Sequence, residues 1–377
     1  MKRISRRGLL LAPAAWLACG PPKAAGFRGY CLVADREGRA VAVIDLTSFR
    51  LRRRIALDAA PALIVPHPSK PKAFVLAPEA GTVYEIDLAS FSISRRVRAG
   101  AAAVAMKIAP RKDALWVLYR DPAALVELPL DTLRSGRRIR FSTPPDSLDV
   151  GSGNLAAVAF HRERTIALAS LDRAVVERTV STEAEPSFVL FRSDGATLVV
   201  GNAGQRSLTI FDVPSGKTVV RLPLAIEPRH FAVSPDGGQV YLSGDGMDAV
   251  AILFPYDTEI WQTVLAGHAP GAMAASDTKP PYLLVANPDA NGITVLNGDT
   301  LTLAALVQVG RGPAQILITP DQKWALVVNG QSGDLAVIRL LSLNQSQSAR
   351  VLHYRTAPIF TLIPVGEKPV SAAVVEW

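Results

Sequence analysis

An all-β fold closed into a ring is predicted by three features of the amino-acid sequence. First, a proline recurs at a near-constant interval ahead of a short apolar run. Pro186, Pro228, Pro270 and Pro313 are 42, 42 and 43 residues apart, and Pro145 lies 41 before Pro186. Pro61 lies 84 before Pro145, with Ala103 at the midpoint. Second, each interval holds about four short runs rich in β-branched residues, bounded by Gly, Pro, Asp and Ser. Third, the first unit shows only three such runs, and the chain ends on a lone one. Four antiparallel strands repeated every 42 residues describe a propeller blade.

The units read alike in order. The first, from Gly29 to Leu57, offers YCLVAD, AVAVIDL and RLRRRIAL. The sixth runs from RHFAVS (229–234) through the turn Pro235-Asp236-Gly237-Gly238 to Gln239–Leu242, then Asp248–Phe254 and Glu259–Leu265. In that turn proline presets φ and glycine supplies a positive φ. The fifth matches it with FVLF, TLVV, SLTIFD and KTVVRL, and the eighth through its third strand with QILIT, WALVV and LAVIRL. The last interval, Pro313 to Pro369, contains an insertion of about 14 residues. The terminal Pro369–Val375 reads as a first strand that completes the first blade and locks the ring. Eight blades are expected. Seven is the alternative, because residues 144–182 form the least regular unit.

Composition agrees with one large folded domain. The chain has 377 residues, 49% of them hydrophobic, 20% charged, and two cysteines. This excludes wholesale disorder, a disulfide scaffold and a CxxC-based zinc site. No apolar run reaches the roughly 18 residues of a membrane-spanning helix. Residues 1–25 read as an export signal and 26–377 as the propeller. Lys2, Arg3, Arg6 and Arg7 precede the apolar stretch Gly8–Ala18, and small residues follow. Ser5-Arg6-Arg7-Gly8-Leu9-Leu10 resembles the twin-arginine export signal. Trp16-Leu17-Ala18-Cys19 resembles a lipoprotein box, so Cys19 is a lipidation candidate. Cleavage after Ala25 is the alternative. The expected location is periplasmic, or tethered outside the cytoplasm. The formal net charge of +8 falls to +4 without residues 1–18, so the basic pI is weak evidence for nucleic acid. Cys31, inside an apolar run, reads as a buried small hydrophobe.

The repeats resemble the YVTN-type propeller repeats of exported bacterial and archaeal proteins. The residues that carry the resemblance are Ser234-Pro235-Asp236-Gly237 with Val240-Tyr241-Leu242, Ser193-Asp194-Gly195 with Leu198 to Asn202, and Ile210-Phe211-Asp212. The resemblance spans nearly all of residues 29–377. It implies an exported propeller and leaves function open, because the motif is scaffold.

Alignment on the repeat proline sorts the first strands, which line the axis. Three positions after it stand Ile64, Met106, Leu148, Val189, Phe231, Met273, Ile316 and Ala372, a core series. Lys107 and Asp149 stand four after it in neighbouring blades and are expected within salt-bridge reach. Asp146, Arg229 and His230 stand one or two after it. At one channel mouth they could hold an anionic small molecule or a metal. His67 is expected to be exposed in a turn. His161, His268 and His353 have no metal-like spacing. Asp45, Asp87 and Asp212 end third strands and should bind turn amides. No GxSxG, phosphate loop or HExxH is present.

Fourth strands form the outer rim. Arg50, Arg52, Arg53 and Arg54 fall on the first, Arg95, Arg96 and Arg98 on the second, and Arg134, Arg137, Arg138 and Arg140 on the third. One arc of the disc should be strongly basic, suited to anionic head groups, a polyanion or an acidic partner. Edge protection against sheet pairing is the competing explanation. Nucleic acid is disfavoured, because no aromatics interleave with the arginines.

The main functional expectation is a non-catalytic, monomeric binding propeller of the cell envelope. Its partner would be a protein or envelope component, and a lipid anchor would be its sole tie to a membrane. No cofactor is identified. The alternative is a cofactor- or metal-dependent propeller with chemistry at the channel mouth. Related exported propellers include lactone hydrolases and the haem-binding domains of periplasmic nitrite reductases.

Overall fold

Side chains alternate across a strand, so a run that is apolar at every position must be covered on both faces. AFVLA, within Lys72–Ala77, is such a run and is buried at every position, and the four central residues of Thr82–Asp87 are buried likewise. Each therefore needs a sheet on either side, and a ring of blades supplies two. The computed structural model describes residues 26–202, 204–254, 259–343 and 359–376. Among them stand eight four-stranded antiparallel sheets, the blades of one propeller.

Blades 1 to 8 present, toward the axis, the inner strands Pro369–Glu376, Leu63–Pro66, Ala101–Ile108, Ser147–Gly151, Pro186–Phe191, Glu227–Val233, Met273–Ala275 and Pro313–Ile318. Their outer strands are Arg50–Ala56, Ser92–Arg98, Arg138–Arg140, Val175–Ser181, Lys217–Pro223, Ile260–Leu265, Leu303–Gln308 and Ile359–Pro364. Helix among the described residues is confined to the single turn Leu340–Ser342. No helix there is long and apolar enough to cross a membrane. Eight hydrophobic clusters fill the ring, one at each junction between blades. Of the core series, Phe231 alone is only partly buried.

The C-terminal strand closes the ring. Pro369–Glu376 pairs antiparallel with Gly29–Asp35, setting Tyr30 opposite Val375 and Val33 opposite Ala372. Two polar side chains hold the joint, Asp35 fully buried and Gln315 half-buried. Asp35 Oδ1 accepts the backbone N–H groups of Glu367 (3.1 Å) and Lys368 (3.0 Å), and its Oδ2 accepts from Arg54. Gln315 clasps the backbone of Ala372 from blade 8, its Oε1 accepting the amide at 2.6 Å.

Outer strands share a β-bulge at one place. One extra residue interrupts the ladder at Arg52, Ser94, Glu177, Val219, Trp261, Ala304 and Phe360. A bulge bends an edge strand and re-aims its side chain outward.

Two expectations need correction. His67 is buried, not exposed. Its ring stacks on Phe74 with centroids 5.7 Å apart, and its Nδ1 accepts the Ser69 amide. The fourth strand of blade 3 is shorter than the sequence suggested. Glu127 binds the backbone of Gly136 and Arg137 in a turn, so Arg134 and Arg137 precede the strand Arg138–Arg140. The export signal with Cys19, the insertion at 344–358 and His353 lie outside the described residues.

Candidate functional site

Two regions carry the candidate residues, and both follow from strand position. Inner strands begin at one mouth of the axial channel, so residues just after each repeat proline cluster near that face. Asp146, before the inner strand of blade 4, accepts from Arg120 of blade 3 at 2.8 Å and from the His161 amide at 2.8 Å. Arg229, in blade 6, donates through Nε to Asp245 at 2.6 Å and pairs with Glu227 at 3.3 Å. Blade 5 stands between these two groups. Asp146 and Arg229 each pair with groups of neighbouring strands, and no hydrogen bond joins Asp146 to Arg229 or His230.

His230 keeps one side exposed. Desolvation on its other side, then the Arg229 charge, push its pKa below the usual imidazole range, with Asp245 opposing them. The ring is therefore neutral at pH 7 and has a free lone pair. Arg229 and His230 line a cavity of about 580 Å³ between blades 6 and 7. Asp245, Asp248 and Asp289 line the same cavity. Asp248 also binds His268 at 3.1 Å and raises its pKa. Sequence reasoning missed these aspartates because they come from two different blades, Asp245 from the end of a second strand and Asp248 and Asp289 from turns. The signal was the polar turn GDGMD after a second strand. Among the described residues, no group of three His, Cys, Asp or Glu could hold a metal ion.

Lys107 and Asp149 form a structural link. Lys107 Nζ lies 3.0 Å from Asp149 Oδ1, and Asp149 Oδ2 accepts the Phe191 amide at 2.8 Å. The three residues are 42 positions apart and tie the inner strands of blades 3, 4 and 5. Both carboxylate oxygens are satisfied, as burial of a charge requires. Asp45, Asp87 and Asp212 accept turn amides of Thr47, Ala89 and Ser215. Cys31 is fully buried, and desolvation pushes its thiol up to about 12, so it is inert.

The second region is the rim. The outer strands of blades 1 to 3 hold nine arginines and no acidic residue. Three of the nine are held by carboxylates: Arg54 by Asp35, Arg95 by Glu85 and Arg96 by Asp58. Arg137, in the turn before, is held by Glu127. The other six, Arg50, Arg52, Arg53, Arg98, Arg138 and Arg140, are exposed and meet no carboxylate among the described residues. By contrast, the outer strands of blades 6, 7 and 8 contain no charged residue.

No protein-family profile matches the chain, and no curated protein sequence does. Solved structures share the fold. The dihydro-heme d1 dehydrogenase NirN in complex with DHE superposes with a TM-score of 0.78 at 16% identity, over 96% of this chain and 78% of that one. A hydrazine synthase chain from Kuenenia stuttgartiensis gives 0.57 at 12% identity, over 72% and 94%. A functionally unknown protein from Desulfotomaculum acetoxidans gives 0.62 at 12% identity, over 92% and 99%. At such identities the likeness establishes the fold alone: this chain is similar to these propellers in architecture.

Proposed function

We propose that this chain is an exported, non-catalytic propeller of the cell envelope that holds an anionic partner on the basic arc of its rim. The resemblance of its repeats to the YVTN-type propellers supports export, as does the signal-like N-terminus. The observation that carries the binding role is the asymmetry of the rim. Bulges guard the outer edges of blades 6 to 8 without charge, so edge protection by itself does not call for arginines grouped on one arc. Six arginines without acid partners fall in blades 1 to 3, and three other outer strands carry no charge at all. Exposed guanidiniums grouped on one arc raise the local concentration of anions and offer planar donors to carboxylate or phosphate. On immobilised heparin, Arg52→Glu, Arg53→Glu, Arg98→Glu and Arg140→Glu together should lower the eluting salt sharply. A control with the same net charge, reversing Arg162, Arg206, Lys217 and Arg311, should elute near the parent. Equal loss in both would reduce the arc to bulk charge and sink the reading.

A second reading, a cofactor-dependent propeller with chemistry at the axial mouth, is favoured by His230, a neutral imidazole beside a cavity. The architecture it shares with a dihydro-heme d1 dehydrogenase points the same way. Haemin added to the purified chain should then give a shifted Soret band that His230→Ala abolishes. A spectrum indifferent to that change rules the reading out.

A further inference from the structure

Blades 6 to 8 turn an apolar edge to solvent. Their outer strands IWQTVL, LAALVQ and IFTLIP leave Trp261, Leu265, Leu303, Leu306, Phe360 and Leu362 exposed, Leu265 at 74% and Leu306 at 70%. The shared bulge strengthens the pattern. In blades 6 and 8 the extra residue is the aromatic itself, Trp261 or Phe360. In blade 7 the extra residue is Ala304. Leu306 is opposite Thr294 and Leu303 opposite Leu296, so the bulge puts both leucines on one side of the sheet. A contiguous apolar patch on an exposed edge marks an interaction surface or an aggregation site.

We propose that this arc is the contact between two copies of the chain, related by a two-fold axis that passes between the outer strands of their two seventh blades. A two-fold contact must be self-complementary. Leu303-Ala304-Ala305-Leu306 reads the same in both directions. Run antiparallel against itself, it sets each Leu303 against the partner's Leu306. The two alanines between them let the backbones come close. Trp261 and Phe360 lie one blade to either side of that strand. Charge selects the same place. The chain carries +8 overall, whereas these three outer strands carry no charge of their own, and the Arg339 guanidinium beside the patch lies over the Phe360 ring at 5.4 Å.

A lipid surface fits less well. Interfacial membrane segments set their apolar side chains beside a face rich in Lys and Arg, whereas this arc has Arg339 over Phe360 at one end. Here the basic arc is centred on blade 2, three blades round the ring, where a flat bilayer against blade 7 cannot reach it. Outer strands also present unpaired backbone N–H and C=O groups, which hydrocarbon cannot satisfy and a second protein edge can.

Sedimentation velocity over a concentration series tests the contact. The full chain carrying Cys19→Ser should pass from one to two chain masses. Leu303→Glu with Leu306→Glu should weaken association roughly tenfold or more, since each 1.4 kcal/mol is a factor of ten. Leu51→Glu with Ile93→Glu, on the basic arc, should leave it unchanged. Because the glutamate pair could perturb folding, Ala305→Cys gives a second reading: oxidation should cross-link two copies through a position beside the axis. Monomer at every concentration with no cross-link overturns the contact, and so does flotation with phosphatidylcholine–phosphatidylglycerol vesicles that the glutamate pair abolishes. Either failure leaves the basic-arc reading standing, since that rests on heparin elution of variants in blades 1 to 3.

Discussion

Glu85 is fully buried in the third strand of blade 2, and three side chains from its own blade surround it. Burial alone would raise its pKa. Hydrogen bonds from Arg95, from Lys72 at 2.8 Å and from Ser94 more than offset that and hold the carboxyl down to about 2. The folded pKa thus lies below the ordinary carboxylate value of 4.5. The stabilisation is complete above that value and is lost as pH falls toward about 2. Glu85→Gln should therefore lower the thermal midpoint at pH 7, and the gap from the parent should narrow as pH drops from 5 to 2.5. A gap that stays constant with pH would show that the charge contributes nothing there. Glu127 and Arg137 repeat the arrangement in blade 3, where Arg137 is first among the causes that lower the Glu127 pKa. Part of the arginine pattern visible in the sequence is thus internal structure. The sequence displays Arg95 and Arg96 as equals. Only the position of Glu85, an acid between Tyr84 and Ile86 in the buried centre of the third strand, marks Arg95 as taken. Asp146 and Arg229 show the same limit: their rank after the repeat proline was legible, but their acid and base partners, Asp245 and Arg120, come from second strands.

At the level of elements, the strands were legible because apolar alternation and turn residues are local signals. The bulge was not, since an extra residue is defined only against the strand it pairs with. Turn geometry was half legible. The hairpin between third and outer strands places a residue at positive φ in the same position: Phe49, Phe91, Leu133, Ala174, Gly216 and Leu301. Only blade 5 uses glycine, so a search for glycine turns finds one hairpin in six. A non-glycine residue pays about 1–2 kcal/mol for that conformation, and packing offsets it. Phe49 lies edge-on to Trp324 with centroids 4.7 Å apart, and Leu133 is buried between blades 2 and 3. These side chains plug the outer ends of the junctions, so the same positions that look wrong for a turn are right for a propeller. The equivalence of Trp261 and Phe360, which the apolar arc depends on, became visible only through the shared bulge.

For the whole molecule, closure is what makes eight blades one body. The lone strand Pro369–Glu376 contributes to two of the eight junction clusters, with Ala372 in one and Ala373 and Val375 in the other. Its register against Gly29–Asp35 is fixed from both sides, by Asp35 and by Gln315. Asp35 has no exposed surface and accepts the amides of Gly38, Glu367 and Lys368 as well as the Arg54 guanidinium. Replacing it with alanine leaves those donors without an acceptor in a buried place. Removing one partner of a buried charged network costs on the order of 3 kcal/mol, whereas the exposed turn acceptor Asp87 should cost about 1. Asp35→Ala should therefore lower the thermal midpoint by several degrees more than Asp87→Ala. The damage should also be local. Amide hydrogen exchange should quicken in Pro369–Glu376 and Gly29–Asp35 while the strands of blade 5, on the far side of the ring, keep their protection. Uniform loss of protection around the disc would mean that Asp35 supports general stability and that the joint is held by its apolar contacts. Selective fraying at the seam would identify the carboxylate as its fastener, and every feature that depends on a closed ring, from the shared mouth to the two opposed arcs, depends on that seam holding.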